Sequence, residues 1–292
     1  MQKYKLISLL LIGIILLNII FASGDVDRFD IPFKNEKKLE VDLDFTFGSL
    51  NIRPSSNNDY ILRAGMTYTR EEFKPSLAYK KHNSKGKLSM GTARKEKSFF
   101  LKEFNRLKGE SEENIWRLEF IKSIPTSFDI EFGAGDGTMD FSGMTIEDLN
   151  LELAMGDVEC FFNEHNKHKM RNMVVETGLG SFEARGLGFA NISNFSLECG
   201  LGSSYMVFDG KFEGVVKANV SVGLGSVDIE IAQDIAVEIR SEASFLSSTD
   251  FDDFEKVDSG LYRSDNWGTK TRAKIIIQLS VGMGSANVRW ID

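Results

Sequence analysis

The sequence predicts an all-β fold, specifically a single-layer β-solenoid with rungs of about 21–24 residues and glycine-rich corners. Seven short stretches repeat one pattern, each around a glycine: Gly48, Gly135, Gly156, Gly180, Gly202, Gly225 and Gly284. The steps from Gly135 to Gly225 are 21, 24, 22 and 23 residues, a period typical of repeat architectures. Only four prolines and 26 glycines also fit a turn-rich β protein.

Apolar residues alternate within each repeat. Counted from the corner glycine, positions −5, −3 and −1 are mostly apolar, as in Val222 and Leu224 before Gly225. After the glycine the apolar positions become +2 and +4, as in Val227 and Ile229. Alternation predicts a strand with one buried face, and the change of parity predicts a bend at the glycine. All five apolar positions, including −1, are therefore expected to face inward.

Residues 1–24 predict a secretory signal peptide. Lys3 and Lys5 precede an apolar run over 6–22, and the small residues Ala22, Ser23 and Gly24 form a cleavage site. The run is at the short limit for a membrane span, so an uncleaved N-terminal anchor is the alternative. Either reading places the protein outside the cytoplasm: exported to the periplasm, to the outer surface or to the medium, or anchored in the membrane.

Residues 25–127 are expected to form an N-terminal β segment with a charged insertion. The period is interrupted over 64–127, where hairpin strands are predicted at Tyr60–Thr69, Leu77–Lys80, Lys87–Met90 and Trp116–Ile121. Between them, Phe99, Phe100 and Phe104 are spaced for a short amphipathic helix. That helix would dock either on the protein's own body or on a partner.

Residues 128–292 are expected to form the solenoid repeats. Between Gly225 and Gly284, residues 238–248 have the pattern of a degenerate rung, with SFLS (244–247) in place of GLGS. Neighbouring rungs must stack because one rung cannot bury its own inner face. The ends of the stack need caps, for which residues 25–42 and Arg289–Trp290 are candidates.

An acidic column is the one outward pattern that is not generic. Position −4 holds Glu131, Glu152, Glu176 and Glu198 in successive repeats, about 5 Å apart if the rungs stack. Like charges at that spacing cost roughly 0.8 kcal/mol per pair in bulk water. The column is either a solvated face that prevents lateral aggregation, or a metal site in which carboxylates bind a cation such as calcium. A carboxylate pair for glycoside hydrolysis is a third reading.

Two other clusters allow a site. His165 and His168 follow Cys160 at a spacing that could bind a metal, although the segment also reads as a polar turn. Asp250, Asp252 and Asp253 lie in one loop whose hairpin carries Trp267, which fits an ion or partner site or an ordinary solvated turn.

Two cysteines, Cys160 and Cys199, fall in different repeats with one repeat between them. Stacked rungs would hold them about 10 Å apart, beyond the roughly 7 Å that a disulfide spans between Cα atoms. We expect two free, inward-facing thiols.

Composition and motifs exclude several classes of function. The net charge is −8, so no basic patch is available for nucleic acid or for an anionic membrane surface. No nucleophile elbow is present, and the repeated G-x-G is not followed by a helix as a phosphate loop would be. We expect no enzymatic activity and no cofactor.

The stretch from Trp116 through Pro125, Gly135 and Asp140–Gly143 to Gly156 resembles the toast-rack family of bacterial exported or membrane-attached proteins. The part from Val222 to Trp290 resembles the C-terminal domain of the Lia-type envelope-stress regulators and related adhesin-type proteins. Together the resemblances cover most of residues 35–292. They imply the repeated glycine corners and an envelope location, and they imply no catalytic residues.

The expected function is that of a non-enzymatic scaffold, adhesin-like protein or binding surface in the bacterial cell envelope. Its partner would be a protein or a surface glycan, and self-association is open. The alternative is a membrane-associated regulator of an envelope-stress signalling protein, which retention of residues 1–24 would favour. Those residues are the only expected membrane contact. A polysaccharide-active enzyme would need a Lys or Arg base beside the acidic residues, and the sequence has no such cluster.

Overall fold

The computed structural model describes residues 25–68, 73–92, 114–243, 246–251 and 253–291. These residues contain no α-helix, and their strands belong to one open sheet. The expected signal peptide, the aromatic segment around Phe99, and residues 244, 245 and 252 lie outside the described part. Within it, no helix is long and apolar enough to cross a membrane.

Sixteen strands occur in the described residues. They are β1 (Asp25–Pro32), β2 (Lys38–Pro54), β3 (Tyr60–Tyr68), β4 (Pro75–His82), β5 (Lys85–Thr92), β6 (Ile115–Phe120), β7 (Thr126–Asp140), β8 (Ile146–Phe161), β9 (Met170–Arg185), β10 (Ile192–Phe208), β11 (Gly214–Ile231), β12 (Ala236–Ala243), β13 (Ser247–Asp250), β14 (Glu255–Asp258), β15 (Leu261–Arg263) and β16 (Ala273–Trp290).

The long strands form a parallel ladder in the order β2, β7, β8, β9, β10, β11 and β16. Their corner glycines lie opposite one another, for example Gly156 opposite Gly180 and Gly202 opposite Gly225. All seven corner glycines have φ between +130° and +152°, a region that L side chains rarely adopt. The aligned glycines therefore make one crease across the sheet, which divides each strand into a first and a second limb.

The two limbs of each strand face each other across the core. In β10 the ring of Phe195 on the first limb lies 6.1 Å from that of Phe208 at the end of the second limb. In β7, Phe128 lies 5.5 Å from Phe141, directly after the strand. Positions −5, −3, +2 and +4 are buried as predicted; Leu151, Leu153, Val158 and Cys160 of β8 are examples.

The prediction for position −1 is wrong from β9 onward. Leu179, Leu201, Leu224 and Met283 are 41%, 48%, 46% and 46% exposed. Because the inward residues nearest the crease are at −3 and +2, the four residues between them pass round the outside of the bend. Only at the β2 end is position −1 covered: Phe47 packs on Phe73 with ring centroids 6.5 Å apart, and Ala134 is buried.

The degenerate rung is present, with its corner one residue later than predicted. β12 continues the ladder beside the first limb of β16, and β13 continues it beside the second limb. Ser247, and not Leu246, lies opposite Gly284, while Ala243 lies opposite Val281. The last rung therefore has one more residue than β16 between these two paired positions.

Antiparallel strands close both ends of the ladder. β5 and β6 each pair with β2 in parallel, one on either limb, and β4 covers β5 while β3 and then β1 cover β6. At the other end β15 and β14 extend the sheet beyond β12. The predicted caps are therefore only partly right. β1 lies in a cap, but residues 38–42 belong to β2, and Arg289–Trp290 pair with β11 inside the ladder.

Candidate binding groove

A groove of about 900 Å³ crosses the outer face of the first limbs, next to the crease. It runs over β2 and β7 to β11, six adjacent strands, and every strand contributes the same positions of its repeat. These are an acidic residue or serine at −4 and a small residue at −2, with the backbone of −3 between them: Asp44, Glu131, Glu152, Glu176, Glu198 and Ser221 at −4, and Thr46, Gly133, Ala154, Gly178, Gly200 and Gly223 at −2.

The floor of the groove is made by glycines that the ladder requires. A Cβ atom on Gly178 would lie 2.5 Å from the carbonyl oxygen of Ala154 on the neighbouring strand. The same atom on Gly200 or Gly223 would lie 2.8 or 2.7 Å from a carbonyl oxygen of the adjacent strand. The close approach of the strands thus disfavours side chains at Gly178, Gly200 and Gly223, where the groove is floored by backbone.

The acidic column forms one wall of the groove. Strand register places Glu131 opposite Glu152, Glu152 opposite Glu176, and Glu176 opposite Glu198. Glu152, Glu176 and Glu198 are exposed, and none of the three makes an ion pair with a described residue. Every charged residue that lines the groove within the described part is acidic. Along these three strands the wall therefore presents negative charge that no described residue pairs with.

Directly after the groove floor, the next residue of several strands is apolar and exposed, and together these residues form an apolar ridge. We give this name to the exposed residues Leu179, Leu201, Leu224, Met283 and Leu246, each at position −1 of its rung. Leu179 lies opposite Leu201, Leu201 opposite Leu224, and Leu224 opposite Met283. Leu246 on the last rung is 52% exposed, and its carbonyl accepts a hydrogen bond from the Gly284 amide at 3.4 Å. Sequence reasoning missed the ridge because alternation assigned −1 to the interior.

The four predicted metal ligands are brought together in sequence order along the column. In the described residues, however, no three His, Cys, Asp or Glu side chains are grouped closely enough to hold a metal ion. A cation bridged between neighbouring glutamates stays a prediction.

The histidine cluster is not assembled as a site, and the aspartate-loop site stays a prediction because Asp252 lies outside the described residues. His165 and His168 are exposed, with His168 Nε2 3.6 Å from Glu147 Oε1, whereas Cys160 is fully buried. In the aspartate loop, Asp253 accepts a hydrogen bond from the Trp290 amide at 3.2 Å. Trp267 instead lies under two cations, with Lys274 Nζ 4.8 Å from its ring centroid.

Both cysteines are free and buried, as predicted. Cys160 lies on the second limb of β8 and Cys199 on the first limb of β10. Burial raises the pKa of the Cys160 thiol to about 12. The thiol is therefore protonated at neutral pH and is not a nucleophile in the folded protein.

Two solved structures are similar to this chain at low identity. One is a candidate cell adhesion protein from Clostridium sporogenes ATCC 15579, 16% identical, with a TM-score of 0.47 over 92% of this chain and 100% of that one. The other is a candidate adhesin from Bacteroides fragilis NCTC 9343, 12% identical, with a TM-score of 0.37 over 91% and 97%. No curated protein matches the chain. The model for the N-terminal domain of toast-rack proteins matches residues 21–185, more than half of the sequence, and the chain therefore belongs to the toast-rack family.

Proposed function

We propose that this protein is an exported, non-enzymatic binding module of the bacterial cell envelope, and that the groove is its binding face. The observation that carries the proposal is the continuous groove with an acidic wall and an exposed apolar ridge beside it. Exposed apolar rows of this length are costly in water and are typical of interaction surfaces.

The same proposal treats the ladder as a β-solenoid with rungs of about 21–24 residues. Corner glycines in register and limbs that enclose a core both support it. Such a body would be rigid, because each of the strands β7 to β11 is paired with a neighbour on both sides. Rigidity suits a scaffold that presents a preformed surface.

The groove is better suited to binding than to catalysis. Acid–base catalysis needs two groups whose environments separate their pKa values. Glu152, Glu176 and Glu198 instead repeat one exposed environment from strand to strand, and no basic residue lines the described groove. The glutamates thus form a row of like charges. They do not form a catalytic pair, in which the two carboxyl groups have different environments.

Export is supported by the sequence of residues 1–24 and by the exported or membrane-attached character that the family resemblance implies. The apolar run over 6–22 also favours a second candidate, a membrane-anchored regulator of an envelope-stress signalling protein, if that run is retained. The partner recovered in the envelope separates the two.

The test is site-specific photo-cross-linking in native cells. A photoreactive amino acid replaces Leu201 on the ridge, and a control protein carries it in place of Asn163, an exposed residue of the turn after β8. We expect a discrete adduct from position 201 and none from position 163. A membrane signalling protein in the adduct would assign the regulator role, whereas a surface protein or glycan would assign the scaffold role. Equal labelling at both positions, or none at either, would refute the groove as the binding face.

A further inference from the structure

We infer that the groove binds a basic amphipathic α-helix of a protein partner, laid across the strands along the crease. The inference rests on the proposed binding role of the groove and names the chemistry of its occupant. It is drawn from the groove's dimensions, from the orientation of the strands beneath it and from the charge of its wall.

The dimensions fit one helix. Positions −4 and −1 are three residues apart along a strand, which separates the acidic wall from the apolar ridge by about 10 Å. An α-helix with its side chains is about 10–12 Å across. The six strands under the groove span about 24 Å, the length of roughly 16 helical residues.

The strand direction favours a helix over an extended peptide. Amide and carbonyl groups of the central strands point along the groove and are used in the ladder on both sides. An extended peptide in the groove would find no backbone partners there, because strand addition needs a free sheet edge. A helix satisfies its own backbone and contributes only side chains, which is what a floor of glycine backbone can accept.

The two borders of the groove determine which residues the two faces of the helix must carry. The side toward Glu152, Glu176 and Glu198 must be basic, since these exposed carboxylates have no ion-pair partner in the described part of the chain. The side toward Leu179, Leu201 and Leu224 must be apolar. A second copy of this chain would bring its own acidic column and a net charge of −8, and an anionic membrane would be repelled in the same way.

The experiment is fluorescence anisotropy of the purified protein with an 18-residue peptide that has leucines on one helical face and lysines on the other. Two further peptides serve as probes: one with the lysines replaced by glutamates, and one of unchanged composition with D-residues at its centre to break the helix. Binding is measured at low and at moderate salt, because an electrostatic wall predicts weaker binding as salt screens it.

Matched protein variants locate the site. E152Q/E176Q removes two charges from the column on β8 and β9, and E159Q/E183Q removes two charges from the second limbs of the same strands. We expect the first pair to weaken binding about fivefold to tenfold and the second pair less than twofold. L179N/L201N, which changes two exposed side chains, should weaken it at least as much as the first pair.

Two outcomes would overturn the inference: equal weakening by both glutamine pairs, or equal binding of the helix-broken peptide. Photo-cross-linking at position 201 could recover a partner while peptide binding depends neither on the column nor on helical structure. That result would support the groove as a binding face and reject a helix as its occupant. If the peptide binds as expected and no cellular partner is captured, the envelope role fails on its own.

Discussion

Gly180 is one of the crease residues at which no side chain fits. Its φ is +131°, and a Cβ atom there would overlap the carbonyl oxygen of Gly156 on the next strand. Both the backbone conformation and the parallel spacing therefore require glycine. We expect Gly180→Ala to lower the free energy of unfolding by at least about 3 kcal/mol, measured by urea denaturation.

Gly65→Ala in β3 is the matched control, because no heavy atom lies within 4 Å of the added Cβ and its φ is not positive. That change should leave stability within about 1 kcal/mol and in the stabilising direction, since alanine restricts the unfolded chain. Equal losses in the two variants would mean that the crease does not depend on its glycines.

Glu238 on β12 connects the C-terminal cap to the ladder through a hydrogen bond with Arg263 of β15. Its side chain is 2% exposed and accepts hydrogen bonds from Arg240 Nη2 at 2.7 Å and from Arg263 Nε at 2.8 Å. Burial acts to raise the pKa of Glu238, but the hydrogen bonds and charges of Arg263 and Arg240 outweigh it, so the pKa lies below its usual 4.5.

We expect Glu238→Gln to cost about 2 kcal/mol at pH 7, because charged hydrogen bonds are lost from a buried site. A lowered folded pKa means that the stabilisation is complete above the unfolded pKa and is lost as pH falls through the folded pKa. The difference between wild type and variant, measured by urea denaturation from pH 7 to pH 3, should therefore shrink below about pH 4.5. The exposed Glu242→Gln on the same strand should change stability by less than about 0.5 kcal/mol. A constant difference across this pH range would contradict the assignment.

At the scale of the elements, period and parity predict most of the strands. The repeats place a strand on each side of every corner, and inward positions −3 and +2 follow from alternation alone. Position −1 could not be predicted in this way, because the outcome depends on how many residues the bend carries outside. Leu179 and Ala134 occupy the same repeat position, yet one is exposed and the other buried; at the β2 end Phe73 packs on Phe47, the residue at −1 of β2.

Only part of the candidate site could be predicted from the sequence. The acidic column could be predicted because it needs only the repeat period and parallel stacking. The groove could not, because its floor depends on backbone contact between Gly178, Gly200 and Gly223 on different strands. The corner at Ser247 also escaped prediction, since the last rung has one residue more than the repeat period predicts before the corner.

At the scale of the whole molecule, the open edges of the sheet could pair with strands of other chains. Each outermost strand is short or carries charge: β14 has four exposed residues, β4 contains Lys80 and Lys81, and β1 contains three aspartates and ends at Pro32. Short, charged and proline-bearing edges are the devices by which native sheets avoid pairing with one another. Antiparallel caps also change strand direction, so the parallel stack cannot simply continue.

We expect the C-terminal cap to prevent association of two molecules through β12. Tyr262 of β15 lies opposite Ile239 of β12, and its ring packs against Phe251 with centroids 5.0 Å apart. Proline at this position removes an amide donor and is excluded from the interior of a sheet. We expect Tyr262→Pro to release β15 and to raise the molar mass with increasing concentration, measured by light scattering after gel filtration. Tyr262→Ala keeps the amide and removes the ring, so it should retain the wild-type mass. If the proline variant loses protection of residues 253–263 from hydrogen exchange and its mass still stays that of wild type, the cap stabilises the end of the ladder without guarding it.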